Sequence, residues 1–184
     1  LLVYSLPIDI KEEALKWVDN LKTEILETSK FLYENPELGS EEYKAHEYLT
    51  NLLEKHGFKV EREFMEMKTA FKATFKGKTE HPKIAFLAEY DALPGIGHGC
   101  GHNIIAATAV GAAIAISKIM NKLEGEVIVY GTPAEEGRGP YAGSKVIMVE
   151  RGAFQGVDAI LMMHPSSGGK ASTRHGALAV QGFK

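Results

Sequence analysis

Apolar positions in the first third of the chain follow the three-to-four-residue spacing of amphipathic helices. The first helix is expected to begin near Asp9 and to end at Asn35, because Pro36 cannot continue a helix. A second helix is expected to begin with Ser40 as its N-cap and to run to about His56. The charged residues between the apolar positions then form the solvent-facing sides of both helices.

From residue 58 onward, short apolar or alternating runs typical of β-strands take over and then alternate with helical patterns. Strands are predicted at 58–64, 70–75, 84–87, 126–130 and 159–163, with a further pair of strand-like segments within 171–183. Helices are predicted at about 103–120 and 141–151. This order predicts an α/β fold, a three-layer α/β/α arrangement with a mostly parallel sheet, and a single domain across residues 1–184.

The composition narrows the class of protein without changing this fold. With 184 residues, of which 45% are hydrophobic and 24% charged, the chain is typical of a globular protein. Its formal net charge of -3 gives no electrostatic reason to expect a nucleic-acid or membrane partner. The single cysteine, Cys100, excludes a disulfide within the chain and suits a reducing compartment, so a cytoplasmic location is expected.

The chemically informative residues follow the third, fourth and fifth predicted strands. A glycine-rich loop with Cys100 and His102 follows the third strand, Glu135 and Glu136 follow the fourth, and His164 follows the fifth. Ligands of α/β sheets collect outside the carboxyl ends of the strands. We therefore expect these five side chains to converge on one site.

These residue types point to metal chemistry. Cys100, His102, Glu136 and His164 offer the four donors that a zinc ion takes in proteins. Adjacent residues at a strand end point in different directions, so one glutamate can bind metal while the other faces a water molecule. Zinc lowers the pKa of a bound water to about 7, and a free carboxylate beside it serves as general base and then as general acid. The donor set therefore predicts a metal-activated water with a glutamate base.

Further acidic and imidazole groups lie on the same predicted edge. Asp91 is expected to orient a histidine ligand, and we count it with the catalytic residues. Glu89 and His98 are expected just outside the ligands, although each is also a candidate ligand. With five or more donors, a site for two ions roughly 3.5–4 Å apart is plausible.

Each of these residues also has a simpler interpretation. An isolated cysteine is most often a small buried apolar residue, and adjacent glutamates commonly form a solvated turn. His164 before Pro165 is also compatible with an ordinary loop. The glycine-rich loop lacks both G-x-G-x-x-G and a P-loop lysine with its hydroxyl, which disfavours a phosphate-binding module. Arg138 and His175 have no assigned role at this stage.

Four segments carry a resemblance to a known family. They are ENPELGSEE (34–42), FLAEYDALPGIGHGCGHN (86–103), GTPAEEG (131–137) and MMHP (162–165). Together they resemble the co-catalytic zinc amidohydrolases that include aminoacylases, hippurate hydrolases and carboxypeptidase G-type enzymes. Within that family they are similar to the branch of the aminobenzoyl-glutamate hydrolase and the aminoacylase-1-like dipeptidase. The resemblance runs from about residue 10 to the end of the chain.

The resemblance implies two divalent ions, zinc with manganese as the alternative, bound by Cys100, His102, Glu136 and His164. It implies that Glu135 is the general base and acid, and that the substrate is a small N-acyl amino acid or dipeptide-like amide. It also implies that residues 1–184 are the N-terminal portion of a catalytic domain. A lid and dimerisation domain, a last histidine ligand and the C-terminal catalytic part would then lie outside this sequence, and the whole protein would be a homodimer.

Two functions follow from these observations. The first is a metal-dependent amidohydrolase of the aminoacylase or carboxypeptidase type, and the alternative is a non-catalytic metal-binding fragment without the lid and the last ligand. The sequence departs from the family pattern at Arg138, where relatives tend to have glycine. Asn103 stands where many members outside this branch have aspartate.

Overall fold

A computed structural model describes residues 8–166, so the strand pair expected within 171–183 and His175 lie outside the described residues. The helices are α1 (Ile8–Asn20), α2 (Lys22–Glu34), α3 (Tyr43–Lys55), α4 (His102–Ser117) and α5 (Ser144–Glu150). The strands are β1 (Lys59–Arg62), β2 (Phe71–Lys76), β3 (Lys83–Ala88), β4 (Glu126–Gly131) and β5 (Ala159–Leu161). Short 3₁₀ turns occupy Phe64–Glu66 and Met120–Lys122.

The five strands form one mixed sheet in the order β1-β2-β4-β3-β5. β3 is parallel to both β4 and β5, whereas β2 is antiparallel to both β1 and β4. The predicted α/β class is confirmed, but the sheet is mixed rather than mostly parallel. The antiparallel part begins with β1 and β2, which are joined by a short connection without the crossover helix that a parallel pair needs.

One face of the sheet is covered by α1 to α4 and contains the main hydrophobic core. α4 packs against β3, β4 and α2 with a surface of mostly alanine side chains. A Cβ atom at Gly111 of α4 would lie 2.7 Å from Ile25 of α2, so this position has no room for a larger residue. Small side chains on α4 therefore set the close approach of the two helices.

A thinner layer around α5 covers the opposite face. The rings of Phe154 and Phe64 lie 5.0 and 5.8 Å from the ring of Tyr130 in β4. Met148 of α5 is fully buried in a cluster against which both phenylalanines pack. The predicted three layers are therefore present, although the second helical layer is small.

The first predicted helix is in fact two helices. The chain turns at Leu21, between α1 and α2, and Leu21 is buried whereas Leu15 and Leu26 are exposed. Apolar spacing predicted the helical conformation but not which of its apolar residues are buried. Within residues 8–166, none of the helices has the length and apolar character needed to cross a membrane.

The start of α3 also differs from the prediction. α3 begins at Tyr43, and Ser40 does not cap it, because Ser40 has a φ of 70° and its side chain turns toward another loop. The carboxylate of Glu37 instead accepts the N–H groups of Lys44 and Ala45 at 3.1 and 2.9 Å. Glu37 thus satisfies free N–H groups of the first helical turn, as a capping side chain does.

Candidate metal centre

The carboxyl ends of β3, β4 and β5 lie side by side. Ala88 of β3 pairs in register with Gly131 of β4, and Phe86 of β3 pairs with Leu161 of β5. Because the three strands are parallel to one another, the residues that follow them reach the same edge of the sheet. His102, the first residue of α4, reaches this edge as well.

Gly101 fixes the start of α4 and therefore the position of His102. Its φ of +81° lies in the left-handed region, where glycine is favoured. A Cβ atom at this position would also lie 2.9 Å from the ring of Pro165. Glycine thus lets the loop before α4 pack against the segment that carries His164.

Two overlapping groups of donor atoms meet at His102. Glu89, His102 and His164 each place one donor atom within 4.8 Å of the others, and so do His102, Glu135 and Glu136. His102 and Glu89 are buried, whereas His164 and Glu135 are exposed. The cluster is therefore buried on the side of His102 and Glu89 and open to solvent on the side of His164 and Glu135.

Asp91 connects the two loops that carry these donors. Its Oδ1 atom lies 2.8 Å from Nδ1 of His102, and its Oδ2 atom accepts the N–H of Glu136 at 2.9 Å. The first contact favours the tautomer in which Nδ1 carries the proton and Nε2 faces the donor cluster. Asp91 thus contacts both His102 and the loop of Glu136, and its hydrogen bond to Glu136 was not predicted.

Two buried atoms in the cluster have no hydrogen-bond partner within residues 8–166. They are Nε2 of His102 and Oε2 of Glu89, and they lie 3.4 Å apart. When Nδ1 donates to Asp91, a neutral His102 presents a lone pair at Nε2, and two facing acceptors cannot satisfy each other. A divalent cation would satisfy both atoms, so these residues fit a metal ion.

The charges around His102 also favour a cation. Burial alone would lower the pKa of His102, but the hydrogen bond with Asp91 and the charges of Asp91, Glu89 and Glu136 raise that pKa above its ordinary value. Burial alone would raise the pKa of Asp91, whereas its hydrogen bonds with His102 and with the N–H of Glu136 lower it. The cluster therefore stabilises positive charge at its centre.

Cys100 lies beside Glu136 but belongs to neither donor group. Its hydrogen bond with Glu136 raises the pKa of the thiol to about 11, and burial and the charges of the nearby carboxylates act in the same direction. A metal ion must displace the thiol proton before the sulfur can bind. The structure thus places this predicted ligand beside Glu136, where the neighbouring carboxylates raise the pKa of its thiol.

Glu135 and Glu136 approach His102 almost equally. Their closest carboxylate oxygens lie 3.8 and 3.7 Å from Nε2 of His102. Their side chains differ in exposure, which is 38% for Glu135 and 19% for Glu136. Distance does not distinguish the two glutamates here, but the side chain of Glu135 is the more exposed to solvent.

The other two histidines of the prediction differ in their relation to the cluster. His98 is buried, and its Nδ1 atom has no hydrogen-bond partner in the described part of the chain. Burial lowers the pKa of His98, and the charge of His102 adds to this effect. His98 is in neither donor group, whereas His164 is in one, with its ring 6.4 Å from that of His102 and nearly perpendicular to it.

Lys145 of α5 is a charged residue of the site that the sequence analysis missed. Its Nζ atom contacts the buried carboxylate of Glu89 and lies 3.7 Å from Oε1 of Glu135. An ammonium group between two carboxylates offsets part of their negative charge. A single lysine on a short helix has no sequence signal that distinguishes it from a surface lysine. Arg138, in contrast, is exposed.

The fold and the cluster together define an α/β domain with a candidate metal centre at the carboxyl edge of its parallel strands. The model of Peptidase family M20/M25/M40 matches residues 85–180. This match covers more than half of the chain, and the chain belongs to this family. The resemblance noted in the sequence is therefore confirmed.

Two curated relatives extend the match toward the N-terminus. The Xaa-Arg dipeptidase of Homo sapiens is 37% identical over 177 residues, which cover 85% of this chain and 39% of the relative. One polypeptide of the p-aminobenzoyl-glutamate hydrolase of Escherichia coli (strain K12) is 38% identical over 156 residues, which cover 74% of this chain and 31% of the relative. The chain thus spans less than half the length of these relatives.

A solved structure shows the same fold. The crystal structure of the Bacillus subtilis YXEP protein, a dinuclear metal binding peptidase from the M20 family, aligns with a TM-score of 0.68 and 29% sequence identity. The alignment covers 77% of this chain and 42% of that chain. The mixed sheet with its flanking helices is therefore an architecture of this family.

Proposed function

We propose that this chain carries part of the active site of a metal-dependent amidohydrolase that cleaves a small N-acyl amino acid or dipeptide-like substrate. The observation that carries the proposal is the pair of buried, facing acceptor atoms on His102 and Glu89, with further carboxylates around them. Family membership supports it. The names of the two relatives, a dipeptidase and an aminobenzoyl-glutamate hydrolase, both refer to an amide bond next to an amino acid.

The proposed cofactor is a pair of divalent ions, zinc with manganese as the alternative. The proposed ligands are Cys100, His102, Glu136 and His164, and Glu89 joins two of them in one donor group. Thiolate and imidazole donors suit zinc, whereas the carboxylates also suit manganese. Bound ions would polarise the amide carbonyl and lower the pKa of a nearby water molecule.

Glu135 is proposed as the general base and acid. Its carboxylate lies on the exposed side of the cluster, where it can accept a proton from the attacking water and deliver it to the leaving nitrogen. Asp91 is proposed to hold His102 in the tautomer whose Nε2 atom is free to bind a cation. Lys145 lies where its charge balances those of Glu89 and Glu135.

Removal of metal is expected to abolish amide hydrolysis by the full natural chain, and zinc or manganese is expected to restore it. A panel of N-acyl amino acids and dipeptides is assayed before chelation, after chelation and after each metal is added back. Hydrolysis that survives complete metal removal would contradict the proposal. Metal binding without hydrolysis of any substrate by residues 1–184 alone would support the alternative, a non-catalytic metal-binding fragment.

Asp91→Asn is expected to weaken zinc binding about 10- to 100-fold, the usual effect of losing a group that orients a ligand. An amide at position 91 can donate to Nδ1 of His102 and thereby favour the tautomer with the proton on Nε2. Zinc affinity is measured by competition with a chromophoric chelator. Asp158→Asn is the matched control, because Asp158 also lies 2.8 Å from a histidine Nδ1, that of exposed His81. Equal zinc affinities in Asp91→Asn and the wild type would refute this role of Asp91.

Three broader features belong to the same proposal. A cytoplasmic location is supported by the free thiol of Cys100, which suits a reducing compartment. The family resemblance supports a homodimer in the whole protein. It also supports the assignment of residues 1–184 to the N-terminal portion of a catalytic domain.

A further inference from the structure

We propose that Glu42 is a positioning residue that holds the loop carrying Glu135 and Glu136 in the geometry needed to bind metal. This inference rests on the proposed function, because it assigns Glu42 a role toward the same metal centre. It goes beyond that function by placing the origin of the loop geometry in a turn of residues 36–42, far from the donor atoms in sequence.

Glu42 immediately precedes α3 and is fully buried, and its carboxylate accepts hydrogen bonds from residues outside that helix. One oxygen accepts the N–H of Ala134 at 2.7 Å, and the other accepts the hydroxyl of Thr69 at 2.8 Å. The first turn of α3 does not need this carboxylate, because Glu37 already accepts two of its N–H groups. Burial of a carboxylate is costly unless hydrogen bonds compensate it, so a position that retains one indicates a specific use of its contacts.

The contact with Ala134 acts where the backbone is strained. Ala134 has a φ of 54°, a left-handed conformation that is uncommon for residues other than glycine. The carboxylate of Glu42 accepts the N–H of Ala134, and the carbonyl of Ala134 accepts the N–H of Gly143 at 3.0 Å. Because Glu135 and Glu136 follow at once, the reversal of the chain at Ala134 determines the direction in which both carboxylates leave the strand end.

The rest of the turn reinforces this contact. A Cβ atom at Gly39 would lie 3.0 Å from the Cα of Ala134, so the backbone of the turn supports Ala134 directly. Ser40 donates from its hydroxyl to the carbonyl of Arg138 at 2.9 Å and accepts the N–H of Tyr141 at 3.0 Å. The turn therefore contacts the loop after β4 on both sides of Glu135 and Glu136 in the sequence.

The same turn also reaches the loop after β3. The carbonyl of Glu37 accepts the N–H of Ala92, next to Asp91, at 2.8 Å. Tyr90, on the other side of Asp91, donates to the carbonyl of Thr69, whose hydroxyl binds Glu42. The turn of residues 36–42 thus contacts both loops whose metal-donor side chains lie around His102. Glu42 is the buried polar residue of this turn that contacts the loop after β4 through its carboxylate.

The test compares Glu42→Ala, Glu42→Gln and a control of similar burial, Thr50→Ala, in the full natural chain. Thr50 is fully buried on the same helix, but its hydroxyl bonds only to carbonyls of α3. The readouts are the visible absorption spectrum of bound Co²⁺, the affinity for Co²⁺, and unfolding by urea. The spectrum reports the geometry of the ligands around Co²⁺. If Glu42 contributed only to stability, the variant and the wild type would have the same spectrum when compared at the same fraction of folded protein.

Glu42→Ala is expected to change the Co²⁺ spectrum and to weaken Co²⁺ binding by roughly tenfold or more. Glu42→Gln keeps an oxygen for Ala134 and an amide for Thr69, so it is expected to restore most of the wild-type spectrum and affinity. Thr50→Ala is expected to lose stability with an unchanged spectrum. A wild-type spectrum and affinity in folded Glu42→Ala would overturn the inference.

A second variant covers the case in which Glu42→Ala does not fold. Gly39→Ala keeps the carboxylate of Glu42 but pushes on Ala134, so it is expected to alter the Co²⁺ spectrum with a smaller loss of stability. If Glu42→Ala does not fold, an unchanged spectrum in Gly39→Ala would overturn the inference. Failure of the wild type to bind Co²⁺ would overturn the proposed function as well. Normal wild-type binding and hydrolysis with no effect of these variants would overturn the positioning role alone.

Discussion

Replacing Glu135 with glutamine is expected to lower kcat for amide hydrolysis by about 10²- to 10⁴-fold while the metal content stays unchanged. Glutamine has nearly the same size and keeps an oxygen acceptor, but it cannot take up a proton at neutral pH. The exposed position of Glu135 means that the substitution leaves little buried polar surface unpaired. The measurement is kcat, with the metal content determined on the same preparation.

Two further variants make this experiment decisive. Glu136→Gln is expected to lose metal, because Glu136 is the proposed ligand and lies on the less exposed side of the cluster. Glu150→Gln, at the exposed end of α5, is the control and is expected to change neither kcat nor metal content. The reverse pattern, with metal lost in Glu135→Gln, would exchange the roles of the two glutamates. A wild-type kcat in Glu135→Gln would exclude it as the base.

The expectation that His102, Glu135, Glu136 and His164 lie at one edge of the sheet could be drawn from the sequence because its signals are local, whereas Cys100 is in neither donor group. Each of β3, β4 and β5 is a short apolar run, and each is followed directly by residues with metal-ligand chemistry. Once three such strands are parallel and adjacent, their carboxyl ends must coincide. This prediction does not depend on the antiparallel pairing of β1 and β2, since that pairing lies on the other side of β4.

The residues that contact the donor side chains or their loops from elsewhere in the chain, Glu42 and Lys145, could not be predicted in the same way. Glu42 is part of an acidic pair that looks like a solvated helix surface, and Lys145 looks like any lysine on a short helix. Their roles depend on contacts with residues far away in sequence, such as the one between Glu42 and Ala134, 92 positions apart. Periodicity and local motifs contain no information about such pairs, so only the folded chain identifies them.

The sequence also could not define the state of the donor groups. Cys100 was predicted as a ligand from its residue type and its glycine-rich loop, but the pKa of its thiol is raised by Glu136, which follows a different strand. Likewise, the orientation of His102 depends on Asp91, eleven positions earlier in the chain. A residue type can predict the chemistry of a site, whereas the charges that neighbours impose on it require the tertiary structure.

His102→Ala is expected to weaken zinc binding by more than the roughly 100-fold upper range for loss of an orienting contact. The physical reason is that His102 belongs to both donor groups, so one substitution removes a donor from each. It also leaves Glu89 and Asp91 buried together without the imidazole between them. The measurement is a zinc titration, together with the zinc-dependent shift of the unfolding midpoint.

His46→Ala is the matched control for this variant. His46 is a partly buried histidine and, like His102, has an Nε2 atom with no hydrogen-bond partner in the part of the chain that the structure describes, but it packs against Phe71 and is in neither donor group. Both variants therefore lose imidazole packing and some stability, but only His102→Ala loses a metal donor.

Linkage separates the two effects, because a metal that binds only the folded state stabilises it by about 2.7 kcal/mol at a free concentration 100 times its Kd. This stabilisation is expected in the wild type and in His46→Ala, and it is expected to disappear in His102→Ala at the same zinc concentration. An equal zinc-dependent shift in all three proteins would mean that His102 is not a ligand. The facing acceptor atoms on His102 and Glu89 would then need another partner, such as a proton retained on Nε2.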